Sequence, residues 1–247
     1  MMRKPRHQAD PLHILRRIES FFFPPLCILC DTPRPSGSRW FCSSCSAIIK
    51  KQISDRKACG RCAQNRTIRS CSCDYTWDYP FEKIIAFVDY TDTIRNLMQH
   101  IKYKGKRSLA YDLGAVCGSM SDITHMSTYD IIIPVPLHKK RALQRGYNQA
   151  EWFARGFASV ITHPEVHTTV LQRLRNTTSQ TALDKSQRKE NLKNAFSLGE
   201  NAKRHLRDKS VLLIDDVITT GATTAAATEV LLEGGCKEVA VCSFARD

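Results

Sequence analysis

The sequence predicts an α/β protein: a doubly wound parallel sheet preceded by a small N-terminal cysteine-rich domain. Short apolar, β-branched segments alternate with helix-period segments from residue 83 onward, as in sheets covered by helices on both faces. One of them, SVLLI at 210–214, is continuously apolar and typical of a central parallel strand. Eight of the 11 cysteines lie apart from this region, between Cys27 and Cys73.

The composition is that of a globular protein with excess positive charge. Hydrophobic residues make up 42% of the 247 residues and charged residues 25%, which excludes a disordered or fibrous chain. Lys and Arg number 37 against 24 acidic residues, and residues 1–75 alone hold 14 basic and 5 acidic side chains. No apolar run approaches the ~18 residues of a membrane span. The apolar stretch at 21–29 has no cleavage site, so we expect a cytoplasmic protein without an integral membrane segment.

The clustered cysteines predict two structural zinc sites. They occur as four successive pairs, and a CxxC turn points two thiolates at one ion. Disulfides would need an oxidising compartment, which nothing in the sequence suggests. Sequential and interleaved pairing are both compatible with the spacing. The eight candidate ligands are Cys27, Cys30, Cys42, Cys45, Cys59, Cys62, Cys71 and Cys73.

These cysteines divide the chain into a docking helix at 1–22, a double zinc ribbon at 23–75 and an α/β domain at 76–247. The docking helix follows from near-helical apolar spacing at 11–23. Trp40 and Phe41 lie among basic residues of the ribbon, where they either stack on single-stranded nucleic acid or pack the small domain.

In the α/β domain the predicted elements follow in order. Strands are predicted at 83–90, 129–135, 168–174, 210–214 and 238–244, and helices at 91–103, 109–120, 149–161 and 223–232. Residues 175–195 are polar and charged, and predict a long loop or hairpin.

The stretch LLIDDVITTGATT at 212–224 predicts an anion site. A buried strand ends in Asp215 and Asp216, followed by a short loop and a helix. Gly221 allows close backbone approach and positive φ, and N–H groups at a helix start bind phosphate. The paired carboxylates would repel each other and a bare phosphate, so we expect them to cost stability unless sugar hydroxyls or Mg²⁺ arrive with the ligand.

This stretch resembles the 5-phosphoribosyl-1-pyrophosphate (PRPP) signature of type I phosphoribosyltransferases. The resemblance implies a type I phosphoribosyltransferase-like fold that binds PRPP with Mg²⁺. It assigns the ribose hydroxyls to Asp215 and Asp216, and it assigns the 5′-phosphate to the loop residues Thr219, Thr220, Gly221, Ala222 and Thr223.

Two further segments flank this site. The segment IPVPLHKKRALQRGYNQ at 133–149 follows a strand end, where its basic residues either neutralise a leaving pyrophosphate or form a solvated charge run. Candidate residues there are Pro136, Lys139, Arg141 and Arg145. Arg141 and Arg145, together with Asp215 and Asp216, are the catalytic candidates. Thr178, Gln180, Arg188 and Asn191 lie where the resembling enzymes have a flexible loop that closes over PRPP, or they make surface contacts instead.

These segments, together with DYTDTIRNLMQHIKYK at 89–104 and the paired cysteines, resemble the ComF family of competence proteins over residues 12–246. The resemblance implies a role in natural transformation, with imported single-stranded DNA and transformation proteins such as a helicase as partners. Two alternatives stay open: an enzyme transferring phosphoribose to an unidentified acceptor, and a PRPP-sensing regulator. Phosphoribosyltransferases recognise the acceptor base with a separate segment called the hood, and here residues 76–105 or the zinc domain are the candidates for it. Tyr103 and Tyr147 either stack on a base or pack the core.

Overall fold

The computed structural model describes residues 24–35, 37–68, 70, 71, 73, 77–121, 126–161, 164–175 and 194–247. The chain forms two compact units, Met1–Ile49 and Lys50–Asp247. Cysteines 59 to 73 therefore belong to the unit that contains the sheet. The predicted docking helix lies outside the described residues, and the predicted division at residues 22/23 and 75/76 stays a prediction.

The helices and strands are numbered in chain order. The helices are α1 (Ser43–Asp55), α2 (Asp92–Tyr103), α3 (Arg107–Ser119), α4 (Lys139–Arg145), α5 (Gln149–Ala158), α6 (Ala202–Leu206) and α7 (Ala222–Glu233). The strands are β1 (Ile84–Asp89), β2 (Ile131–Pro134), β3 (Glu165–Val166), β4 (Leu171–Arg173), β5 (Phe196–Leu198), β6 (Ser210–Ile218) and β7 (Glu238–Arg246).

In the first unit, a turn and a helix start bring four cysteines together. The backbone N–H of Cys27 donates to the carbonyl of Thr32 at 2.8 Å, and the N–H of Asp31 donates back to Cys27 at 3.0 Å, which closes a tight knuckle around the first pair. Helix α1 begins directly after Cys42 and contains Cys45, so the second pair lies on the first turn of a helix.

The main sheet is parallel, as predicted. Five strands of the described chain are ordered β1-β7-β6-β2-β3, and every neighbouring pair is parallel. The chain leaves β2 toward β3 but leaves β6 toward β7, so the direction of winding reverses between β2 and β6. Ligands of open α/β sheets bind outside the carboxyl ends of the strands at such a switch point.

Several boundaries differ from the predicted ones. Strand β6 continues to Ile218 because its pairing with β7 persists past the carboxylates, from Asp215 opposite Ser243 to Ile218 opposite Arg246. Asp215 and Asp216 thus lie within β6 rather than directly after it. Strand β4 does not join the main sheet but pairs antiparallel with β5. The segment between them, whose residues 176–193 lie outside the described part, therefore joins the two strands of a hairpin.

Helix α4 was not predicted, since none of its residues is buried and its sequence has no apolar period to reveal it. Helix α3 packs closely on α5 because glycines replace side chains at the contact. A Cβ at Gly156 would lie 1.9 Å from the carbonyl oxygen of Tyr111, and one at Gly114 would lie 2.1 Å from that of Phe153. No helix within the described ranges is long and apolar enough to cross a bilayer.

Candidate functional site

The candidate site lies at the switch point between β2 and β6. Pro134, the last residue of β2, is opposite Ile214 of β6, and the N–H of Val135 donates to the Ile214 carbonyl at 2.8 Å. Strand β6 extends past this point, so Asp215 and Asp216 lie beyond the end of strand β2. Asp216 is only 7% exposed, so its charge needs a partner.

That partner is Lys102, in the last turn of α2. Its Nζ lies 2.8 Å from Oδ2 of Asp216, and the side-chain amide of Gln149 donates to the same oxygen at 3.3 Å. Burial opposes ionisation of both groups, but their attraction outweighs it: the pKa of Asp216 is lowered and that of Lys102 is raised. The pair is therefore a stable ion pair at neutral pH.

Asp215 is in the opposite situation. Burial and the negative charge of Asp216 raise the pKa of its carboxyl group to about 7. A carboxyl group with this pKa loses its proton to solvent near neutral pH, and its carboxylate can then bind a cation or accept hydrogen bonds from hydroxyl groups. The site thus combines one carboxylate held in a direct ion pair with one whose charge is disfavoured.

The predicted phosphate loop follows β6 and begins α7. Gly221 has φ of 76° and is the N-terminal cap of this helix. The N–H of Ala225 donates to the Gly221 carbonyl at 2.8 Å and the hydroxyl of Thr224 donates to it at 2.9 Å, which fixes the start of the helix. A helix N-terminus preceded by a left-handed glycine is a favourable anion site.

Two side chains orient the backbone of this loop. The hydroxyl of Tyr79 donates to the Thr220 carbonyl at 2.7 Å. Arg246 donates to the Ile218 carbonyl at 3.2 Å and to the Thr219 carbonyl. Because a trans peptide is planar, fixing a carbonyl points the N–H of the next residue the opposite way. The N–H groups of three successive residues are therefore directed away from Tyr79 and Arg246.

The second cysteine cluster supports the same edge of the sheet. Nε of Arg246 donates to the Cys62 carbonyl at 3.4 Å, and the N–H of Ile84 donates to the Arg61 carbonyl at 2.7 Å. Arg56 pairs with Asp89 at the end of β1 at 3.0 Å. The cluster is thus joined to β1, to β7 and, through Arg246, to the phosphate loop.

Both cysteine clusters have the geometry of a metal site, with sequential pairing. The first group is Cys27, Cys30, Cys42 and Cys45, the second is Cys59, Cys62, Cys71 and Cys73, and the Sγ atoms of each lie within 4.8 Å of one another. Cys30 and Cys42 are 3.6 Å apart and Cys59 and Cys73 are 3.5 Å apart, far longer than a disulfide. Four thiolates around a tetrahedral zinc lie about 3.8 Å apart, so the donor set fits that ion.

The predicted pyrophosphate-binding residues at 136–145 differ in how closely they approach the carboxylate pair. Arg145 donates to the side-chain carbonyl of Gln149 at 2.9 Å and so reaches the ion pair through that residue. Arg141 lies close enough to Arg173 to lower its pKa, although burial is the larger cause. Lys139 is exposed and Pro136 half-buried in the connection after β2. Thr178, Gln180, Arg188 and Asn191 lie outside the described residues.

Sequence patterns did not indicate five residues of this site: Lys102, Gln149, Tyr79, Arg246 and Arg173. Lys102 and Gln149 lie within the segments at 89–104 and 133–149, but no periodicity shows that they meet across the fold. Arg173 carries the charge next to Asp215 from the small hairpin, and the attraction of Asp215 partly offsets the lowering of its pKa by burial. Tyr79 and Arg246 act through backbone carbonyls, for which a sequence has no signal.

The fold and the site define a phosphoribosyltransferase-type protein, and comparison with known families agrees. The phosphoribosyl transferase domain matches residues 149–247. Competence protein F of Haemophilus influenzae is 30% identical over 235 residues, covering 91% of this chain and 98% of that protein. The chain therefore belongs to the ComF family.

Two further relatives match over most of their length. DNA utilization protein YhgH of Escherichia coli strain K12 is 27% identical over 231 residues, covering 90% of this chain and 97% of that protein. Competence protein ComFC of Bacillus subtilis is 24% identical over 239 residues, covering 89% and 93%. Both matches include the cysteine-rich region as well as the α/β domain.

Proposed function

We propose that this protein acts in DNA uptake during natural transformation, where it binds PRPP and handles imported single-stranded DNA. The observation that carries the role is family membership over nearly the whole chain, since the similar proteins are named for competence and DNA utilization. The cytoplasm suits this role, because the eight clustered cysteines are arranged as reduced metal ligands, which a reducing compartment preserves. A helicase of the competence system is the proposed protein partner.

The phosphoribosyl site supports PRPP as the small ligand. Backbone N–H groups of Thr219 to Thr223 and the start of α7 would hold the 5′-phosphate without a charged side chain. Asp215 and Asp216 would accept hydrogen bonds from the ribose hydroxyls, while Lys102 keeps Asp216 ionised. Pro136, Lys139, Arg141 and Arg145 would face the pyrophosphate.

Mg²⁺ fits this arrangement, because burial and the charge of Asp216 disfavour the Asp215 carboxylate, which a cation would stabilise, and carboxylate oxygens are preferred ligands of that ion. When bound with PRPP, the ion would neutralise charge on the pyrophosphate. Thr178, Gln180, Arg188 and Asn191 would cover the ligand. Zinc is the proposed metal of both cysteine clusters, with a structural role because four thiolates leave no open position.

A second candidate function is phosphoribosyl transfer to an acceptor. It is favoured by the positive charge of Arg173 near Asp215 and of Arg141 near Arg173, since a departing pyrophosphate needs electrostatic stabilisation. Release of pyrophosphate from PRPP in the presence of nucleobases or oligonucleotides would support it. If pyrophosphate is released no faster than without protein, the protein binds PRPP but does not transfer phosphoribose.

Titration with Mg²⁺–PRPP and with a labelled single-stranded oligonucleotide, separately and together, tests the proposal. We expect binding of both ligands. Competition would place them on overlapping surfaces, and independent binding would place them on separate ones. A protein that binds neither ligand would contradict the proposal.

A further inference from the structure

Tyr103 is an aromatic side chain in an unusual position. It is the last residue of α2, whose apolar side chains Ile94, Leu97, Met98 and Ile101 are all buried. Tyr103 itself is 72% exposed, so it does not belong to the core. Its neighbour Lys102 forms the ion pair with Asp216, so the last turn of α2 lies at the carboxylate pair.

The Tyr103 ring is held in place by residues that contact the carboxylate pair. The guanidinium of Arg145 lies over it, with Cζ 5.4 Å from the ring centroid. Arg145 is fixed in turn by Gln149, which donates to Asp216. A continuous series of contacts therefore runs from the carboxylate pair to one face of the tyrosine ring. A ring oriented in this way before binding loses little freedom when a planar ligand stacks on it.

The surroundings of the ring are strongly basic. Residues 102–107 read KYKGKR and contain no acidic side chain. Lys104, Lys106 and Arg107 are exposed, as are Lys139 and Lys140 at the start of α4. The ligand complementary to this surface carries negative charge and a flat aromatic group. Nucleotides combine the two, and exposed aromatic rings in basic surfaces are the usual stacking platforms for single strands.

We propose that Tyr103 is a nucleobase-stacking subsite beside the phosphoribosyl site, and that a base of single-stranded DNA occupies it. This inference rests on the proposed function, because it names where one base of the strand lies. It also brings the two ligands together: a base on Tyr103 lies next to the side chain that holds Asp216. Tyr147 is less accessible to a base, since it is half-buried and its hydroxyl donates to the backbone carbonyl of Ile101.

The test compares Tyr103→Leu and Tyr103→Phe with the parent. Tyr90→Leu is the matched control, because Tyr90 also has an arginine, Arg95, over its ring at 5.8 Å but follows the edge strand β1. Affinities are measured by fluorescence anisotropy for a labelled oligothymidylate and for an abasic strand of equal length and charge. Circular dichroism confirms that each variant is folded.

We expect Tyr103→Leu to weaken oligothymidylate binding roughly fivefold to a hundredfold, the range of one lost base–aromatic stack. Tyr103→Phe and Tyr90→Leu should bind like the parent, and all variants should bind the abasic strand equally. Thymidine monophosphate is the second probe. An effect on the oligonucleotide alone assigns the subsite to strands, and an effect on both assigns it to nucleobases in general.

Equal binding of oligothymidylate by Tyr103→Leu and the parent would overturn the inference while leaving the proposed function intact. An equal loss for the abasic strand would also overturn it, since that loss cannot come from stacking. A parent protein that binds neither strand would contradict the proposed function itself.

Discussion

Asp215 and Asp216 are adjacent, yet the pKa values of their carboxyl groups are shifted in opposite directions. Asp216 is compensated by Lys102 at 2.8 Å. Asp215 is opposed by burial and by the charge of its neighbour. The expectation that both carboxylates cost stability therefore applies to Asp215 alone. Lys102 lies 114 positions before Asp216, so no local sequence pattern indicates that the two residues form a pair.

Replacing Asp215 with Asn should stabilise the free protein at pH 8. The pKa of its carboxyl group is about 7 in the folded protein against an ordinary value of 3.8. The favourable contribution of the protonated group is therefore complete below its ordinary pKa and is lost as the pH rises through the folded one. We expect Asp215→Asn to raise the free energy of unfolding by about 1–2 kcal/mol at pH 8 and to change it little at pH 4.

Asp216→Asn is the matched control. It leaves the half-buried Lys102 without its carboxylate and should lower the free energy of unfolding at pH 8 by about 1–3 kcal/mol. Urea unfolding at both pH values measures each variant. An Asp215→Asn protein less stable than the parent at pH 8 would show that the attraction between Asp215 and Arg173 outweighs burial and the repulsion by Asp216.

At the scale of elements, the α3–α5 contact depends on glycine. The backbone carbonyl of Tyr111 blocks a side chain at Gly156 and cannot move without disturbing α3. Gly156→Ala should therefore lower the free energy of unfolding by at least about 1–3 kcal/mol, although alanine favours helices. Gly60→Ala, where nothing lies within 4 Å of the added Cβ, should change it little. Equal stability of the two variants in urea unfolding would contradict the close packing.

The second cysteine cluster and the phosphate loop are coupled through Arg246 and Cys62. Cys73→Ser should lower bound zinc from two ions to one per chain and weaken Mg²⁺–PRPP binding by about tenfold, a coupling of 1–2 kcal/mol. Cys45→Ser is the control from the other compact unit: it should lose one zinc ion but retain PRPP affinity. Metal analysis and calorimetry give both quantities. Unchanged PRPP affinity in Cys73→Ser would show that the second cysteine cluster and the phosphate loop are not coupled.

At the scale of the whole molecule, the chain has 37 basic against 24 acidic residues. We expect affinity for single-stranded DNA to fall roughly tenfold to a hundredfold between about 50 and 200 mM salt, as for three to five phosphate contacts. Sequence preference among oligonucleotides should be small, because neither phosphate contacts nor stacking reads base edges. Anisotropy titrations over this range measure it, and an affinity independent of salt would rule out phosphate contacts.

The sequence predicted the parts of this molecule that depend on local patterns. Continuous apolar runs indicated strands β1, β2, β6 and β7 of the parallel sheet but not the two-residue strand β3. The TTGAT loop predicts a phosphate site because the chemistry it needs lies within five consecutive residues. Local patterns did not indicate helix α4, which buries nothing. They also did not indicate the antiparallel pairing of β4, because a three-residue strand reads the same in either sheet. Contacts between residues distant in sequence, such as Lys102 with Asp216, cannot be predicted until the order of the strands and helices in the fold is known.

Calorimetry with Mg²⁺–PRPP shows whether the loop after β6 is a phosphoribosyl site. Gly221→Val places a Cβ 3.2 Å from Tyr79 at a left-handed residue of the loop, whereas Gly235→Val imposes the same left-handed strain beyond the other end of α7. We expect the parent and folded Gly235→Val to bind PRPP and folded Gly221→Val not to bind it. If Gly221→Val binds PRPP as tightly as the parent, the loop is not the phosphate site.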